Sequence, residues 1–498
     1  MSVSTVGSQS ALLIQQLMGM RQQFDDLQRQ LSTGQKSDTY AGLGTDRGVT
    51  VSLNAQLAAI GAFGDTINNV TTRINVMNTA LGSMSDLESA VKSAMAGAGN
   101  TGDGSGATIA QQTAQSSLDQ MLSLLNTQSG DRYLFSGRAT DQPAVDTLDH
   151  ILNGNGAQAG LKQLIAERNQ ADLGADGLGR LVISAPTASS VSVAEDAVSP
   201  FGLKLASVNS SLSNATVSGP SGSPAALSVD FSGGNPSDGD SITLSFNLPD
   251  GTGENLTLTA TTNSPPGANQ FTIGATPAAT AANFQAALTT GIGQLAATSL
   301  TAASAVAASN DFFNADANNP PQRVAGPPFD TATAMTAGSA ANTVIWYTGE
   351  AGSDPARSTA TASVDQSLVV SYGARANEDG IRSLVQNMAT LAAVDISPSD
   401  PNASGLSGAL DQRLTANLAA SSGVKGIETD LANAQTAMNN AQARQQQSSV
   451  TLNNYLQQIA GVSNEEVGTK LLELQTRMQA SMQTTAILFQ TSLVNYLK

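Results

Sequence analysis

The chain lacks cysteine and has a single histidine, His150, among its 498 residues. These two shortages exclude disulfide bonds, thiolate ligands, a cysteine nucleophile and any metal site built from several histidines. Charged residues make up only 12% of the sequence, about half of the ~25% usual in globular proteins. The formal net charge of −17 argues against binding to nucleic-acid phosphates. Aromatic residues are 4% with one tryptophan, Trp346, which disfavours an aromatic-lined ligand pocket or a base-stacking surface.

Long uninterrupted apolar runs are also missing. The run at residues 11–14 stops at glutamine, far short of the ~18 residues that a membrane span needs. The alanine-rich stretch at 278–308 is interrupted by Thr, Ser, Asn and Gln. The first basic residue is Arg21, with no continuous apolar segment after it, so we expect no cleaved signal peptide. These features predict no membrane span, and either a cytoplasmic location or export without signal cleavage.

Proline is absent from both ends of the chain, since all 17 prolines lie between Pro143 and Pro401. Proline breaks helix interiors, so this distribution predicts helical ends and a non-helical middle. Heptad spacing agrees, because apolar residues at steps of three and four form the seam of a packed helix. The N-terminal seams are Leu13, Leu17, Met20, Phe24, Leu27, Leu31 and Ile67, Val70, Ile74, Met77, Leu81, Met84. A glycine-containing stop at Ser32-Thr33-Gly34 ends the first of them, and a third helix is expected from Thr108 to about Ser129, with Ile109, Met121, Leu122 and Leu125 as its apolar residues.

The C-terminal end repeats this pattern in seams that are interrupted at Gly461. The seam residues are Ile427, Leu431, Ala434, Met438, Ala441, then Val467, Leu471, Leu474 and Met478. No seam is long, so a bundle of several helices is favoured over a two-stranded rod. The polar residues of these helices are mostly Gln, Asn, Ser and Thr. This composition fits a helix surrounded by other protein and equally fits a coiled coil whose polar face stays in water.

The middle of the chain alternates apolar and polar residues, which predicts half-buried strands. The pattern covers Leu227 to Phe231, Ile242 to Leu248 and Leu256 to Leu258, with a turn at Pro249-Asp250-Gly251 and a helix from Ala282 to Leu295. Strand-like pieces are also expected at 344–347 and 368–370. The predicted fold is mainly α, a helical-bundle or coiled-coil core formed by both termini with an inserted β-rich (α+β) outer region. The expected parts are 1–142 (helical core), 143–199 (connection), 200–322 (outer domain), 323–404 (return connection) and 405–498 (helical core).

Catalytic motifs are weak in this sequence. His150 has neighbouring acids but no nucleophile elbow, so a surface histidine is the better interpretation. The glycine-rich segment 174–179 fits neither a dinucleotide fingerprint nor a P-loop and is expected to be a turn. Asp238, Asp240 and the acids at 311–316 lack the spacing of a calcium loop. The sequence therefore predicts no enzyme, no cofactor and no metal site.

Four segments resemble the bacterial flagellin family, which includes flagellins and hook–filament junction proteins. The segment Leu27-Gln28-Arg29-Gln30-Leu31-Ser32-Thr33-Gly34-Gln35-Lys36 is similar to the end of that family's first helix. The segment Tyr133-Leu134-Phe135-Ser136-Gly137 resembles a signature of its junction proteins, and 474–481 with 492–497 resemble their C-terminus. The resemblance covers about 1–142 and 405–498. The chain is long for a junction protein because of its insert, and the Phe-Asn-Gly segment of typical flagellins is absent.

The resemblance implies a structural subunit of the flagellum, most simply the hook–filament junction protein. A filament flagellin is the alternative, and an extracellular adhesin on a helical stalk is a remote one. The implied partners are hook-associated proteins, flagellin subunits, further copies of the chain and an export chaperone for the terminal helices, without nucleic acid. The implied location is the extracellular flagellum, reached by flagellar type III export. Residues 1–35 and 465–498 are expected to be disordered in the free subunit, and the expected assembly residues are Leu17, Phe24, Leu27, Leu31, Leu471, Leu474, Leu488 and Leu493.

Overall fold

A computed structural model of the chain describes residues 3–98, 105–397, 399–421 and 423–496, with only the backbone described at residues 3–10, 98, 105–108, 489 and 491–496. The described residues fall into two compact units. Unit 1 lies within Met1–Val70, Ala362–Val370 and Thr436–Lys498, and unit 2 lies within Thr71–Thr361 and Ser371–Gln435. The helices are α1 (Val3–Thr33), α2 (Arg47–Ala98), α3 (Ser105–Leu125), α4 (Leu148–Asn153), α5 (Leu161–Leu173), α6 (Pro277–Leu295), α7 (Thr301–Asn314), α8 (Asp379–Ala393), α9 (Ala403–Ala420), α10 (Lys425–Ala460) and α11 (Asn464–Tyr496).

The proline-free ends are helical, as their heptad spacing predicts. The second predicted seam lies in α2, and its six residues are all buried. The C-terminal seam from Ile427 to Ala441 lies in α10, and it is buried throughout as well. Burying these apolar side chains supplies most of the stability of such helices, because intrinsic helix propensity alone is too weak. The predicted fold class, a helical core from both termini with a strand-rich insert, is confirmed.

Unit 2 contains two four-stranded sheets. One has the strand order β3-β4-β7-β6 and is antiparallel throughout; the other has the order β10-β9-β8-β5, with β10 parallel to β9. The described residues also form three pairs of shorter strands, of which β1–β2 and β11–β12 lie in unit 2 and β13–β14 lies mostly in unit 1. The strands are β1 (Gln128–Ser129), β2 (Arg132–Tyr133), β3 (Leu181–Thr187), β4 (Ser190–Glu195), β5 (Lys204–Ser210), β6 (Thr216–Ser221), β7 (Ala226–Asp230), β8 (Ser241–Asn247), β9 (Gly253–Thr261), β10 (Gln270–Thr272), β11 (Arg323–Val324), β12 (Met335–Thr336), β13 (Thr361–Ser363) and β14 (Val369–Ser371).

The two larger sheets share one hydrophobic core with α6. Alternating residues supply it, as the period-two pattern predicts: Leu227 and Val229 from β7, and Ile242 and Leu244 from β8, are buried. The rings of Phe231, Phe271 and Phe284 meet edge to face, with centroids 5.2–6.4 Å apart. The predicted turn at Pro249-Asp250-Gly251 joins β8 to β9.

The only tryptophan in the sequence, Trp346, is buried against the helical part of unit 2. The helix α7 packs against α5, α8 and α9, and α3 packs against α8. The Nε1–H of Trp346 donates a 3.0 Å hydrogen bond to the carbonyl oxygen of Phe313, whose ring lies 5.2 Å from the indole. A π-helical turn at Ala296–Leu300 joins α6, which packs on strands, to α7.

Several sequence predictions about local structure are wrong. The third helix ends at Leu125 rather than near Ser129, because Gly130 at φ +68° allows residues 128–133 to form the β1–β2 hairpin. Residues 344–347 form no strand; Tyr347 makes only an isolated bridge with Val145 while Trp346 fills the core. The helix expected at 282–295 begins at Pro277, whose preceding residue Thr276 caps it through its side chain. The first large sheet includes β3 and β4, which precede the expected domain boundary at residue 200.

One helical stretch in the described part of the chain, Pro277–Asn314, is long and apolar enough to cross a membrane by length and composition. We expected the polar residues of this stretch to exclude a membrane span. By composition that expectation is wrong, since an 18-residue window reaches a mean hydropathy of 1.2. That window is 61% buried inside the protein. Burial of this kind is typical of a core helix, and the side chains of Phe284, Leu288 and Phe312 pack in the interior of unit 2.

Candidate assembly surface

The two terminal helices, α1 and α11, pack against each other in unit 1. Their glycine-containing ends meet: the N–H of Val462 donates to the Gly34 carbonyl at 3.0 Å, and the N–H of Lys36 donates to the Ala460 carbonyl at 2.8 Å. Gly34 has φ +71°, a conformation that glycine adopts without strain. The residues that end α1, Ser32-Thr33-Gly34, are therefore hydrogen-bonded to the chain around the helix break at Gly461. The sequence predicted each helix break but not their pairing.

The α1–α11 seam contains part of the expected assembly set. Leu27 and Leu474 line the same shallow groove, which has a volume of about 290 Å³. Leu474 is buried, whereas Leu17, Phe24, Leu27 and Leu471 are half-buried. Leu31 and Leu488 are exposed, and the side chain of Leu493 lies outside the described part of the structure. Intramolecular pairing thus covers some of these residues and leaves others on the surface.

Sequence reasoning missed a second set of apolar residues on the terminal helices. Leu12 and Met18 on α1 are 61% and 58% exposed, and Leu472 on α11 is 68% exposed. Ile14, Met482 and Ile487 are also exposed. These residues lie off the heptad seam, and they widen the apolar surface of each helix beyond one stripe. The signal available in the sequence was the consecutive run Leu12-Leu13-Ile14, which no single helical face can bury.

Ion pairs on the terminal helices follow the helix spacing. In α11, Glu466 pairs with Lys470 at 2.6 Å and Glu473 pairs with Arg477 at 2.5 Å, both at i,i+4 with the acid first. The hydrogen bond from Lys470 lowers the pKa of Glu466. Hydrogen bonds to Asp26 and Asp38 raise the pKa of Arg29 near the end of α1. The polar faces of these helices therefore carry charged pairs as well as the amides that dominate their composition.

A second groove in unit 1 lies between α2, α10 and the turn that follows β13. Its volume is about 460 Å³, and its lining includes Gln56, Phe63, Gln366 and Ser448. The amide Nε2 of Gln445 donates to the carbonyl of Val364 at 2.5 Å, and Arg444 lies 3.5 Å from Asp365. These contacts attach residues 364–366 to α10.

The Tyr-Leu-Phe-Ser-Gly segment at 133–137 is hydrogen-bonded in unit 2 to two stretches far along the sequence, 350–354 and 374–376. The carbonyl of Phe135 accepts from the Ala376 N–H at 2.8 Å, and that of Ser136 accepts from the Glu350 N–H at 2.9 Å. Just beyond it, Arg138 pairs with Glu350 at 2.5 Å and with Asp354 at 2.9 Å. We call the paired residues 135–138, 350–354 and 374–376 the clasp. The signature segment thus has a packing role within the chain.

The residues considered for catalysis or metal binding have structural partners. Nδ1 of His150 lies 2.9 Å from Asp146, and His150 itself belongs to the short α4. Asp240 accepts from the Ser213 and Ser237 N–H groups, and Asp316 accepts from those of Asn318 and Asn319. Residues 174–179 form the expected turn after α5. Within the described ranges, no group of three or more His, Asp or Glu side chains is arranged to hold a metal ion.

Comparison with known proteins gives one family. Residues 3–140 match the model of the bacterial flagellin N-terminal helical region. No curated protein matches the chain. The matched residues include α1, α3 and the Tyr-Leu-Phe-Ser-Gly segment. The match supports the bacterial flagellin family and a flagellar structural subunit. That family consists of structural proteins, not enzymes; its members self-assemble into flagellar filaments and are exported and assembled outside the cell.

Proposed function

We propose that the chain is the hook–filament junction subunit of a flagellum, which joins hook to filament through its terminal helices. The observation that carries the assembly role in this proposal is the exposed apolar surface of α1 and α11. Leu12, Met18 and Leu472 remain more than half exposed although the two helices already pack on each other. Exposed apolar surface of this extent on paired helices is typical of a protein that associates with other subunits.

Neighbouring subunits would complete the burial of these helices. In this proposal Leu17, Phe24, Leu27, Leu31, Leu471, Leu474, Leu488 and Leu493 form the seam, and the exposed set extends it to the neighbour. Residues 1–35 and 465–498 are disordered in the free subunit and become ordered when the assembly buries them. The described parts of these segments are helical, over Val3–Thr33 and Asn464–Tyr496. The disorder concerns the isolated subunit in solution, where rapid amide exchange at both termini is expected.

The proposed partners are hook-associated proteins on one side and flagellin subunits on the other. Contacts between unlike surfaces of successive copies generate rings or open helices, depending on closure. An export chaperone would cover the apolar faces of the terminal helices before assembly, and export would proceed without a cleaved signal peptide. In this organisation 1–142 and 405–498 supply the helical core. The region between them forms the connections, 143–199 and 323–404, and the outer domain, 200–322, whose first sheet also includes β3 from Leu181.

The junction is preferred over the filament because residues 133–137 resemble the junction signature and the Phe-Asn-Gly segment of typical flagellins is absent. A filament flagellin has the same helical requirements and is the alternative. An adhesin carried on a helical stalk is more remote, because it gives no reason for apolar surface on both terminal helices.

The assembly test uses a double variant, Leu12→Gln with Met18→Gln. Glutamine keeps the helix propensity but removes the apolar surface, so we expect normal export and loss of incorporation into isolated flagella. The control is Val198→Gln, which changes an equally exposed apolar residue outside the terminal helices. Normal incorporation of the double variant would contradict the proposed surface.

Immunogold electron microscopy separates the candidate positions. An antibody against the strand-rich part of unit 2 should label a single point between hook and filament. Label along the whole filament would make the chain a flagellin, and label on a fibre without a hook would favour the adhesin. Label confined to the cell interior would overturn all three.

A further inference from the structure

An uncharged groove lies on the strand-rich part of unit 2, between α6 and the loop that joins β9 to β10. Its volume is about 660 Å³, within the range of about 300–1,000 Å³ typical of small-ligand sites. The loop contributes Pro265 and Pro266, and the helix contributes Thr290 and Gln294. No lining residue has an ionisable side chain among those that the structure describes, although the chain carries a net charge of −17.

Two amides in the groove have a fixed orientation. Oε1 of Gln270 accepts a 2.9 Å hydrogen bond from the N–H of Gly267, so its Nε2 remains an unused donor. Nδ2 of Asn283 donates to the carbonyl of Thr272 at 2.8 Å, so its Oδ1 remains an unused acceptor. Both partners are backbone groups of known polarity, which settles which end of each amide is oxygen and which is nitrogen. The groove therefore offers one oriented donor and one oriented acceptor.

We propose that this groove binds a neutral saccharide. A sugar hydroxyl donates one hydrogen bond and accepts others, so it can use a free amide donor and a free amide acceptor together. The pyrrolidine rings of Pro265 and Pro266 and the methyl groups of Ala286 and Ala287 supply apolar surface for the C–H face of a pyranose ring. An anionic or cationic ligand finds no opposite charge in this lining and loses its hydration without compensation.

The edge of the sheet argues against an extended peptide as the ligand. β10 is the outer strand of its sheet, where a peptide would add by main-chain hydrogen bonds. Two of its edge groups are already used within the chain. The N–H of Gln270 donates to the Gly267 carbonyl at 3.2 Å, and the Thr272 carbonyl accepts from Asn283. A peptide strand would have to displace both contacts, whereas a saccharide uses side-chain groups that remain free.

The test measures binding of the full-length monomeric chain to three panels of probes. These are neutral oligosaccharides built from glucose, mannose, galactose or N-acetylglucosamine; sialylated and sulfated oligosaccharides; and short uncharged peptides. The blocking variant is Thr290→Arg, and its matched control is Thr289→Arg on the next residue, which is exposed but outside the lining. Both threonine hydroxyls bond to the carbonyl four residues earlier, so each variant loses the same local contact.

We expect at least one neutral saccharide to bind, with affinity reduced about tenfold or more by Thr290→Arg and unchanged by Thr289→Arg. If Thr290→Arg unfolds unit 2, as judged by Trp346 fluorescence, Gln294→Ala against Gln285→Ala gives the same comparison with a smaller change. Failure of every neutral saccharide to bind, equal binding by the blocking variant, or binding of peptides alone would overturn the proposal. Because the monomer is used, a negative result leaves the assembly proposal unaffected.

Discussion

Arg413 on α9 donates from Nε to Oδ2 of Asp250 at 2.8 Å, across 163 positions of sequence. Asp250 lies in the turn between β8 and β9, so this pair joins the helical and strand-rich parts of unit 2. The two side chains are 4% and 2% exposed. Glu254 and the hydroxyl of Thr252 also contact the guanidinium, each at 3.3 Å. In the sequence, Asp250 belongs to a predicted turn and Arg413 is a polar position on a helix. In the structure the two residues form a buried ion pair.

Replacing Arg413 with methionine should strongly destabilise unit 2, because the carboxylate of Asp250 would stay buried without its partner. Breaking a buried pair in this way costs about 3–5 kcal/mol. Urea unfolding followed by Trp346 fluorescence measures the loss, since this tryptophan is fully buried in unit 2. The control is Arg382→Met on α8, whose partner Asp379 is largely exposed, and there we expect about 0–1 kcal/mol. Equal losses in the two variants would contradict a special role for the buried pair.

Two aspartates of unit 2 should give stability changes of opposite sign with pH. Burial raises the pKa of Asp172, against the opposing effects of Arg168 and the Gly202 N–H. Hydrogen bonds from the hydroxyl and N–H of Ser213 lower the pKa of Asp240. The folded state thus holds the proton of Asp172 more tightly than the unfolded state, and that of Asp240 less tightly. The contribution of Asp172 is greatest below the ordinary aspartate pKa and is lost as pH rises, whereas that of Asp240 is lost as pH falls.

The corresponding variants are Asp172→Asn and Asp240→Asn, which remove each titration while keeping side-chain shape. Their free energies of unfolding, relative to the unsubstituted chain, should be measured between about pH 3 and pH 7. We expect the relative stability of Asp172→Asn to improve as pH rises, and that of Asp240→Asn to worsen. Parallel changes in the two variants would show that the assigned environments are wrong.

The clasp provides a steric test at Gly137. Gly137 and Gly130 both have positive φ, +66° and +68°, so alanine at either position carries the same backbone strain of about 1–2 kcal/mol. A Cβ atom at Gly137 would lie 2.5 Å from Oε2 and 2.9 Å from Cβ of Glu350, whereas one at Gly130 meets nothing within 4 Å. Gly137→Ala should therefore cost about 1–3 kcal/mol more than Gly130→Ala, since it displaces the partner of Arg138. Equal costs, measured by urea unfolding, would mean that Glu350 moves aside freely.

Local periodicity predicted most of the elements but few of the contacts between them. The heptads of α2 and α10 and the alternation in β7, β8 and β9 each follow from burial on one face, so neighbouring residues carry the signal. The pairing of Gly34 with Val462 and the contact of Arg413 with Asp250 join distant segments, and one sequence holds no record of such pairs. The exposed Leu12 and Met18 were missed for another reason. A heptad seam identifies the face that packs within the chain, whereas these residues lie on a face that the chain does not cover.

The first large sheet of unit 2 includes β3 and β4, so it begins before residue 200, the expected start of the outer domain. A deletion of 205–320 removes α7 and nearly all of strands β5 to β10, and it leaves β3 and β4 without the other two strands of their sheet. It also removes Phe313, whose carbonyl accepts from Trp346. Better ends lie at Gly179 and Leu300, because a Cβ on Gly179 would come within 2.9 Å of the Leu300 side chain. Because the two ends are close, we expect a short Gly-Ser linker to span the gap left by removing 180–299.

This shorter deletion should leave the helical part of unit 2 folded but less stable, provided that Arg413→Met accompanies it. Without that change the guanidinium would lose Asp250 and Glu254 and remain unpaired. Stability falls because the deletion also removes Phe201 from its core with Ala171 and Val324, and the Gly202 N–H from Asp172. We expect the 180–299 deletion to keep the blue-shifted fluorescence of a buried Trp346, and the 205–320 deletion to lose it. If the assembly proposal is right, the shorter deletion also incorporates into flagella, because α1 and α11 are unchanged. Exposure of Trp346 in both deletions would show that the strand-rich module is required for the helical part to fold, and the module would then be part of the core of the subunit.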